Sequence, residues 1–307
     1  MKGIKNTNKK GYDFITDSET GELFGISRAT GEVRKAAYIP VVEGTKCYDP
    51  ESQEEYRAGK EQEQKKYLER AANLPLGGFY FTSCNESFKN ISAESVTRLI
   101  YLSTFINYES NMLMKTERTP IKHNELQKLL RVSRATFYRF WEEVNPAYLT
   151  RDTEGNILIN NNVFSKGATK KNFAHRKFYI KGVQKLYKST PLSKHKQLGY
   201  LFKLLPFVNI EFNLLCWNPL ETDLNEVELM SLTDFCQQIG YDIGHISRLL
   251  SIYNNIKFET TDNTVERFCS VVYDGLDRAN AKIFINPHVL YSGSNYEKVE
   301  ILGAFCS

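Results

Sequence analysis

The sequence predicts a helix-rich α+β fold in which two tandem copies of one domain follow a small N-terminal region. The nine-residue strings "INNNVFSKG" (159–167) and "INPHVLYSG" (285–293) agree at Ile, Asn, Val and Gly. Similar helix-like runs precede both strings in the same order, which indicates a duplication. Two Thr-Gly-Glu turns near the start of the chain distinguish the N-terminal region from the copies.

Residues 1–75 form the first predicted segment. "ITDSETGELFGISRATGEVRK" places turn residues between short β-like runs, so we expect a β-hairpin-like structure there. The polar run between Pro50 and Pro75 predicts a solvated connecting helix, and pairing with a partner helix is the alternative. The basic start of the chain lacks the apolar stretch of a secretory signal.

Residues 76–168 form the predicted first copy. Pro120 leads into a short helix, "IKHNELQKLL", and a tight turn is followed by a second helix, "RATFYRFWEEV", with Ser133 as its N-cap. Apolar residues recur in the second helix at i, i+3, i+4 and i+7 and predict a buried face. They are Phe137, Phe140, Trp141 and Val144. "YLTRDTEGNILIN" predicts a hairpin after it.

Two short helices followed by a hairpin have the order of a winged helix-turn-helix, whose second helix enters the major groove of DNA. Residues 169–307 repeat that order in "SLTDFCQQIG", "YDIGHISRLLSIY" and "CSVVYDGLDRANAKIFINP". The two helix pairs align 109 positions apart and the nine-residue strings 126 apart, as loop insertions in the second copy would produce. Upstream, "FYFTSCNESFKNI" aligns with "FYIKGVQKLYKST" at 99 positions, and the following helices align at the same spacing.

Charge is distributed unevenly along the chain. Residues 161–200 contain 10 Lys or Arg and no acidic residue, whereas residues 201–307 contain 7 basic and 14 acidic residues. A long run of one sign favours an anionic partner, and a solvated lysine-rich surface is the alternative.

The pattern resembles the RepL-type winged helix-turn-helix proteins of plasmids and phages of Gram-positive bacteria. The resemblance lies in "FYIKGVQKLYKSTPLSKHKQLGYLFKLLPFVN", in the helix pair and in "AKIFINPHVLYSG". It covers 178–293 and extends more loosely to 79–167, where Asn160-Asn161 stands in place of the family's Asn-Pro. The resemblance implies binding of double-stranded DNA in replication initiation or in regulation of the element's genes, and it implies no catalytic residue.

Phosphate contacts position a protein on DNA, and contacts to base edges give specificity. For base contacts we expect Arg134, Thr136, Tyr138 and Arg139, although Arg139 could instead form an ion pair with Glu142 or Glu143. For phosphate contacts we expect Arg151 beside the hairpin tip, which is also a minor-groove candidate, and five residues of the basic stretch, Lys166, Lys170, Lys171, Arg176 and Lys177. The second copy offers His245, Ser247 and Arg248.

Two interpretations of the second copy remain. In the first, both copies bind DNA, and the single chain mimics a dimer on half-sites about 10 bp apart. In the second, the acidic second copy has become a dimerisation surface or a site for a host or phage protein. Arg248 occupies the position that Arg139 has in the first copy, and this favours the first interpretation.

Several classes of function lack their sequence signals. Six scattered cysteines predict neither a zinc site nor a disulfide framework, and the five histidines form no His-x-His pair. The GxxxxGK[ST], HExxH and GxSxG motifs do not occur. No apolar run approaches the roughly 18 residues of a membrane helix. We therefore expect a non-enzymatic, cytoplasmic, nucleoid-associated protein without a metal, a cofactor or a membrane partner.

Overall fold

The computed structural model of the chain comprises two compact units, Met1–Ala71 and Ala72–Ser307, and has mixed α+β structure. No helix among the described residues is long and apolar enough to cross a membrane. The structure describes residues 12–41, 44–48, 54–61, 76–83, 88, 90–108, 110–167, 175–260, 264–274, 277–294 and 305.

The N-terminal unit contains a four-stranded antiparallel sheet whose strands are adjacent in chain order. The strands are β1 Tyr12–Thr16, β2 Leu23–Ser27, β3 Val33–Val41 and β4 Gly44–Tyr48. The two Thr-Gly-Glu turns join β1 to β2 and β2 to β3, as the sequence predicts. Gly21 and Gly31 have φ angles of 70° and 72° there, a backbone conformation that glycine adopts without strain. Residues 54–61 are helical (α1) and exposed on every side.

The second unit contains two sets of elements that occur in a similar order. The first set is β5 Phe79–Ser83, α2 Ala93–Leu102, β6 Met114–Thr116, β7 Thr119–Pro120, α3 His123–Leu130, α4 Arg134–Val144, β8 Leu149–Arg151, β9 Ile157–Ile159 and β10 Phe164–Ser165. The second set is β11 His175–Tyr179, α5 Ile180–Ser189, α6 His195–Lys203, α7 Leu232–Ile239, α8 Ile246–Asn255, β12 Lys257–Glu259, β13 Val265–Arg267, β14 Cys269–Asp274 and β15 Asp277–Ile285.

The helix pairs α3–α4 and α7–α8 have the same ends. Arg131 ends α3 with a φ of 59°, and Gly240, 109 positions later, ends α7 with a φ of 64°. Ser133 and Asp242 then cap the next helical turn with their side chains. The predicted spacing of 109 positions is therefore confirmed at both ends of the turn. The hairpins β8–β9 and β14–β15 follow the helix pairs, also as predicted.

The asparagines of the repeated nine-residue string make equivalent hydrogen bonds. The side-chain amide of Asn160 donates to the carbonyl oxygen of Ala147 over 2.8 Å, and that of Asn286 donates to the carbonyl oxygen of Arg267 over 2.9 Å. Each side-chain oxygen accepts from the backbone N–H two residues later, at 2.9 and 2.8 Å. The string therefore repeats because the same turn ends each hairpin.

Leu113 and Leu215 connect each hairpin to its helix pair. Their backbone N–H groups donate to the carbonyl oxygens of Ile157 and Ile283, at 2.9 and 3.0 Å. Their own carbonyl oxygens accept from the chain just before α3 and α7, at 2.8 and 3.2 Å. This short strand-like segment therefore occupies the same place in both sets.

The upstream alignment at 99 positions is wrong by three residues. Ser83 and Tyr179, 96 positions apart, both donate to the valine of the nine-residue string, at 2.7 and 3.0 Å. Asn107 and Asn209, 102 positions apart, close the same turn after α2 and α6, at 3.0 and 2.8 Å. A shift of three residues keeps nearly the same face of a helix buried, so apolar matching does not detect it. In the strands, aromatic residues on both faces concealed the shift.

Equivalent strands of the two sets pair with each other in antiparallel orientation. In the sheet β10-β5-β11, Phe81 lies opposite Lys177, and these two residues are themselves equivalent at a spacing of 96. Antiparallel pairing of equivalent strands requires an approximate two-fold axis between them. The axis passes through the Phe81–Lys177 pair.

The helices α2 and α6 pack across the same axis. The hydroxyl of Thr97 donates to the carbonyl oxygen of His195 over 2.8 Å. At the symmetry-equivalent contact, a Cβ built on Gly199 would overlap the carbonyl oxygen of Ala93. Gly199 therefore permits the backbones of the two helices to come into direct contact.

The larger of two hydrophobic core clusters among the described residues extends through both sets. Tyr187 of α5 illustrates the continuity, since its ring stacks on Tyr101 of α2 with centroids 3.9 Å apart. Its hydroxyl donates to the carbonyl oxygen of Leu130, at the end of α3, over 2.9 Å. The copies predicted at 76–168 and 169–307 thus belong to one compact unit, and the boundary between them stays a prediction about the repeats.

We expect Gly199→Ala to destabilise the second unit, because the added methyl forces α2 and α6 apart. Overpacking of a close contact costs typically about 1–3 kcal/mol. Gly78→Ala is the matched control, because its Cβ would lie 3.8 Å from Ile180 at an ordinary contact distance. Urea denaturation measures both variants, and equal stability of the two would contradict the close helix contact.

We expect His195 to make stability depend on pH. Its side chain is fully buried against Tyr187, and burial lowers its pKa from 6.5 to about 4. Below pH 6.5 the unfolded chain therefore binds a proton at His195. The folded chain binds it only below about pH 4. The contribution of neutral His195 to the free energy of unfolding is therefore complete above pH 6.5. Between pH 6.5 and pH 4 the free energy of unfolding falls by on the order of 3 kcal/mol. His195→Gln should remove this part of the slope in denaturation curves measured from pH 7 to 4, whereas parallel curves would exclude it.

Candidate nucleic-acid interface

Helix α4 separates a buried side from an exposed side as the sequence predicts. Phe137, Phe140 and Val144 are buried, and Trp141 packs partly buried against the same core. The expected base-contacting residues lie on the other side, where Arg134, Tyr138 and Arg139 are exposed and Thr136 is half-buried.

Arg134 and Tyr138 form a pair on the exposed side of α4. The Arg134 guanidinium lies 5.5 Å from the centroid of the tyrosine ring, and its Nη2 donates to the hydroxyl over 3.4 Å. Tyr138 is 47% exposed. A guanidinium has five N–H donors, so the pair leaves donors of Arg134 available to a ligand.

Arg139 does not form an ion pair with Glu142 or Glu143, which was the alternative to a base contact. Within the part of the chain that the structure describes, no carboxylate lies within ion-pair distance of its guanidinium. Glu143 instead accepts hydrogen bonds from Ser92 and Ser95 at the start of α2. The charge of Arg139 therefore faces solvent.

Exposed basic residues also surround the start and end of α3, and none of them was predicted as a DNA contact. They are Arg118, Lys122, Lys128 and Arg131. Arg131 lies in the turn between α3 and α4, and its guanidinium donates to the carbonyl oxygen of Lys188 over 3.2 Å. Their proximity to α4 in sequence was the available signal. Lys115 differs from them because it forms an ion pair with Glu125.

Arg98 adds a buried positive charge beneath α4. Its guanidinium lies 5.8 Å from the ring centroid of Phe140, and the residue is only 8% exposed. Burial lowers the pKa of Arg98 from its ordinary value, although an arginine remains charged at neutral pH. The exposed charges of α4 therefore lie above a charge of the same sign.

Arg151 is exposed at the end of β8, where the hairpin turns. Burial of His123, at the start of α3, lowers the pKa of this histidine, and the positive charge of Arg151 lowers it further. His123 packs edge-on against Trp141, with centroids 4.4 Å apart. The backbone N–H of His123 donates to the carbonyl oxygen of Gly155 over 3.0 Å, so the hairpin turn that follows Arg151 lies at the start of α3.

The second set presents a less charged surface. Ser247 and Arg248 are exposed on α8, and Arg248 has no ion-pair partner among the described residues. His245 is exposed just before α8, and its Nδ1 lies 3.0 Å from the carboxylate of Asp242. His245 is therefore held by the residue that caps its own helical turn.

The loops that precede the two helix pairs differ in length and in charge. The segment 114–120 forms the short hairpin β6–β7, whereas 216–229 is twice as long and contains four acidic and no basic residues. Hydrogen bonds hold the longer loop, including Trp217 N–H to Glu228 over 2.8 Å and Asn209 to Glu221 over 2.8 Å. Its exposed apolar side chains are Trp217, Leu220, Leu224 and Leu229.

The residues expected to contact phosphates from the basic stretch do not share one surface. Lys166 and Lys177 are partly exposed, whereas Lys170 and Lys171 lie outside the described residues. No cluster of three or more potential metal ligands occurs among the residues that the structure describes.

The expectation that Arg176 contacts phosphate is wrong. Arg176 is 2% exposed, and its Nε and Nη2 donate to the carbonyl oxygen of Val208 at 3.1 and 2.7 Å. It alternates with Lys177 along β11, and because successive strand residues point to opposite faces, Arg176 faces the core. It stabilises the turn that follows α6.

We expect Arg176→Met to destabilise the protein by about 1–3 kcal/mol, because the Val208 carbonyl loses a charged donor. The salt dependence of duplex DNA binding should stay unchanged. Lys166→Met is the matched control, with a change in stability below about 0.5 kcal/mol and a salt slope reduced by about one. Urea denaturation and salt titrations distinguish the two, and the reverse pattern would restore Arg176 as a phosphate contact.

Comparison of the chain with protein-family models, with curated proteins and with solved structures found no match.

Proposed function

We propose that this protein binds double-stranded DNA sequence-specifically through two winged helix-turn-helix domains. One observation carries the proposal: Arg139 on α4 and Arg248 on α8 occupy equivalent, exposed positions on the second helices of two symmetry-related helix pairs. Arginine in such a position bonds two acceptors of guanine in the major groove. The hairpins β8–β9 and β14–β15 would serve as the wings.

The approximate two-fold axis supports a defined geometry for the DNA site. Two second helices related by a two-fold axis match the symmetry of a DNA duplex when the half-sites are inverted. Half-sites of such helix-turn-helix dimers lie about 10 bp apart, or one helical turn. We infer that a single chain covers an imperfect inverted repeat.

The two half-sites would not be read equally. The α4 surface contributes Arg134, Thr136, Tyr138 and Arg139, and the exposed basic residues around α3 can reach phosphates. The α8 surface offers His245, Ser247 and Arg248, within a part of the chain where acidic residues outnumber basic ones. Most of the affinity is therefore assigned to the first half-site.

The biological role that we propose is regulation of transcription or initiation of replication on a phage or plasmid-like element. This proposal follows the resemblance to RepL-type proteins. Both roles need only a sequence-specific grip on an operator or an origin. Mapping of bound sites across a genome distinguishes them, since initiator sites cluster at an origin and regulator sites at promoters.

A second candidate function is binding of a protein partner through loop 216–229. The exposure of Trp217 at 41% and Leu220 at 65% beside four carboxylates favours it, because tryptophan is enriched among residues that dominate interface energies. This candidate predicts capture of a basic partner without any protected DNA site at moderate salt. It is compatible with DNA binding by the first set alone.

We expect Arg134→Ala with Arg139→Ala to abolish base preference in one half of the site. Each well-placed arginine contributes about 1–3 kcal/mol of discrimination. Arg248→Ala should relax only the other half, since α8 is the symmetry mate of α4. Selection of bound sequences from a random duplex library measures both effects.

Lys170→Ala with Lys171→Ala is the charge-matched control for the arginine pair. Loss of phosphate contacts should weaken all duplexes alike and leave base preference intact. An arginine double variant that selects the wild-type sequence would rule out α4 as the reading helix. Selection of direct repeats in place of inverted ones would rule out the two-fold arrangement on DNA.

A further inference from the structure

The helical turn that begins the second helix of the second set carries an exposed isoleucine. Ile243 is 45% exposed and directly follows the capping residue Asp242. It belongs to one turn of 3-10 helix, Ile243–His245, that leads into α8. A single exposed isoleucine is ordinary on a protein surface, so it is the position of Ile243 in the fold that distinguishes it.

Ile243 corresponds in position to Arg134 of the first set. The spacing of 109 positions that relates the caps Ser133 and Asp242 also relates Arg134 to Ile243. Each residue is the first one after the cap of its helical turn. In a helix-turn-helix, the N-terminal residues of the second helix contact base edges. Equivalent positions therefore hold a guanidinium in one set and an aliphatic side chain in the other.

The residue four positions after each of these two differs in size. In the first set it is Tyr138, whose ring lies 5.5 Å from the guanidinium of Arg134. In the second set it is Ser247, which is exposed. A serine side chain is too short to cover Ile243 as the tyrosine covers Arg134. The isoleucine is therefore accessible to a ligand of the helix.

Asp242 fixes the turn that carries Ile243. Its Oδ1 accepts a hydrogen bond from the backbone N–H of Gly244 over 2.9 Å, and its Oδ2 lies 3.0 Å from Nδ1 of His245. These contacts hold the backbone on both sides of the isoleucine. A side chain on a turn that is fixed before binding discriminates between ligands better than one on a mobile turn.

We propose that Ile243 contacts the 5-methyl group of a thymine in the second half-site. Among the four bases, only thymine presents a methyl group at the major-groove edge, where the other contacts are to hydrogen-bond donors and acceptors. An isoleucine side chain has neither a donor nor an acceptor, so the methyl group is the feature that it recognises.

This inference rests on the proposed binding of duplex DNA by α4 and α8, and it adds the base that distinguishes the two half-sites. Arg134 selects guanine in the first half-site. Ile243 selects thymine at the symmetry-equivalent base pair of the second. The inverted repeat is therefore imperfect at this base pair.

Replacement of thymine by deoxyuridine, which lacks only the 5-methyl group, tests the inference. Selection by the wild type from a random duplex library supplies the site. Each thymine of the second half-site is then replaced singly in a fluorescein-labelled duplex. One replacement should weaken binding of the wild type about fourfold in fluorescence anisotropy, because burial of one methyl group is lost.

Ile243→Ala should bind that deoxyuridine duplex and the unmodified duplex with equal affinity, since alanine does not reach the methyl group. The readout is the ratio of the two affinities, which a general loss of stability does not change. Ile15→Ala is the matched control, because Ile15 is 51% exposed on β1 of the N-terminal unit. It should keep the fourfold ratio of the wild type.

Ile243→Arg introduces the residue that the first set has at the equivalent position. In a selection from the same library, the base preferred at this position should change from thymine to guanine, because a guanidinium bonds two acceptors of guanine. The bases selected in the first half-site should stay the same.

An Ile243→Ala protein that still distinguishes thymine from deoxyuridine would overturn the inference. A selected second half-site without thymine would also overturn it, as would a wild type that binds every deoxyuridine duplex as tightly as the unmodified site. The proposed duplex binding would survive each of these results, because the selection itself tests it. A wild type that selects no duplex sequence would overturn both.

Discussion

The backbone contact between α2 and α6 determines the arrangement of the whole second unit. Gly199 lets the two helices touch at Ala93, and the strand pair β5–β11 repeats the same symmetry beside them. Each helix then carries its own helix pair, through the backbone hydrogen bonds of Leu113 or Leu215. Because these connections are short and share one core, the spacing of α4 and α8 is set by packing and not by a flexible linker. In the proposed complex with DNA, a rigid pair of helices would lose less entropy on binding than two tethered domains.

The symmetry of the interior contrasts with the divergence of the surface. Interior positions are constrained by close packing, so the hydrogen bonds of Asn160 and Asn286 persist in both sets. Surface substitutions away from such features change stability by less than about 0.5 kcal/mol, so the loops before the helix pairs were free to become one short hairpin and one acidic loop. The retained exposure of Arg139 and Arg248 is the exception, because neither side chain is needed by the core. The proposed contact with DNA would account for an arginine at both of these surface positions.

Local signals in the sequence predicted the parts of the structure that depend on local interactions. The start of α4 was found because Ser133, a residue that can cap a helix, precedes the apolar residues of the helix. The buried stripe of α4 was found from its helical period. The alignment of β5 and α2 with their equivalents in the second set was not predicted correctly, because it depends on which residues meet across the axis. No sequence pattern around Gly199 indicates its contact with α2. The exposed face of α4 was predictable from the sequence, whereas the burial or exposure of each basic residue was not.

Arg176 and Lys177 show why a run of like charge is not by itself a surface. They are neighbours in the acid-free stretch, yet one is buried against Val208 and the other faces outward. Lys185 in the same stretch donates to the carbonyl oxygen of Thr260, and Lys188 offers its own carbonyl to Arg131. The stretch crosses the junction between the two sets, where carbonyl oxygens need donors and a carboxylate would be repelled. The absence of acidic residues there therefore has a cause in the junction itself.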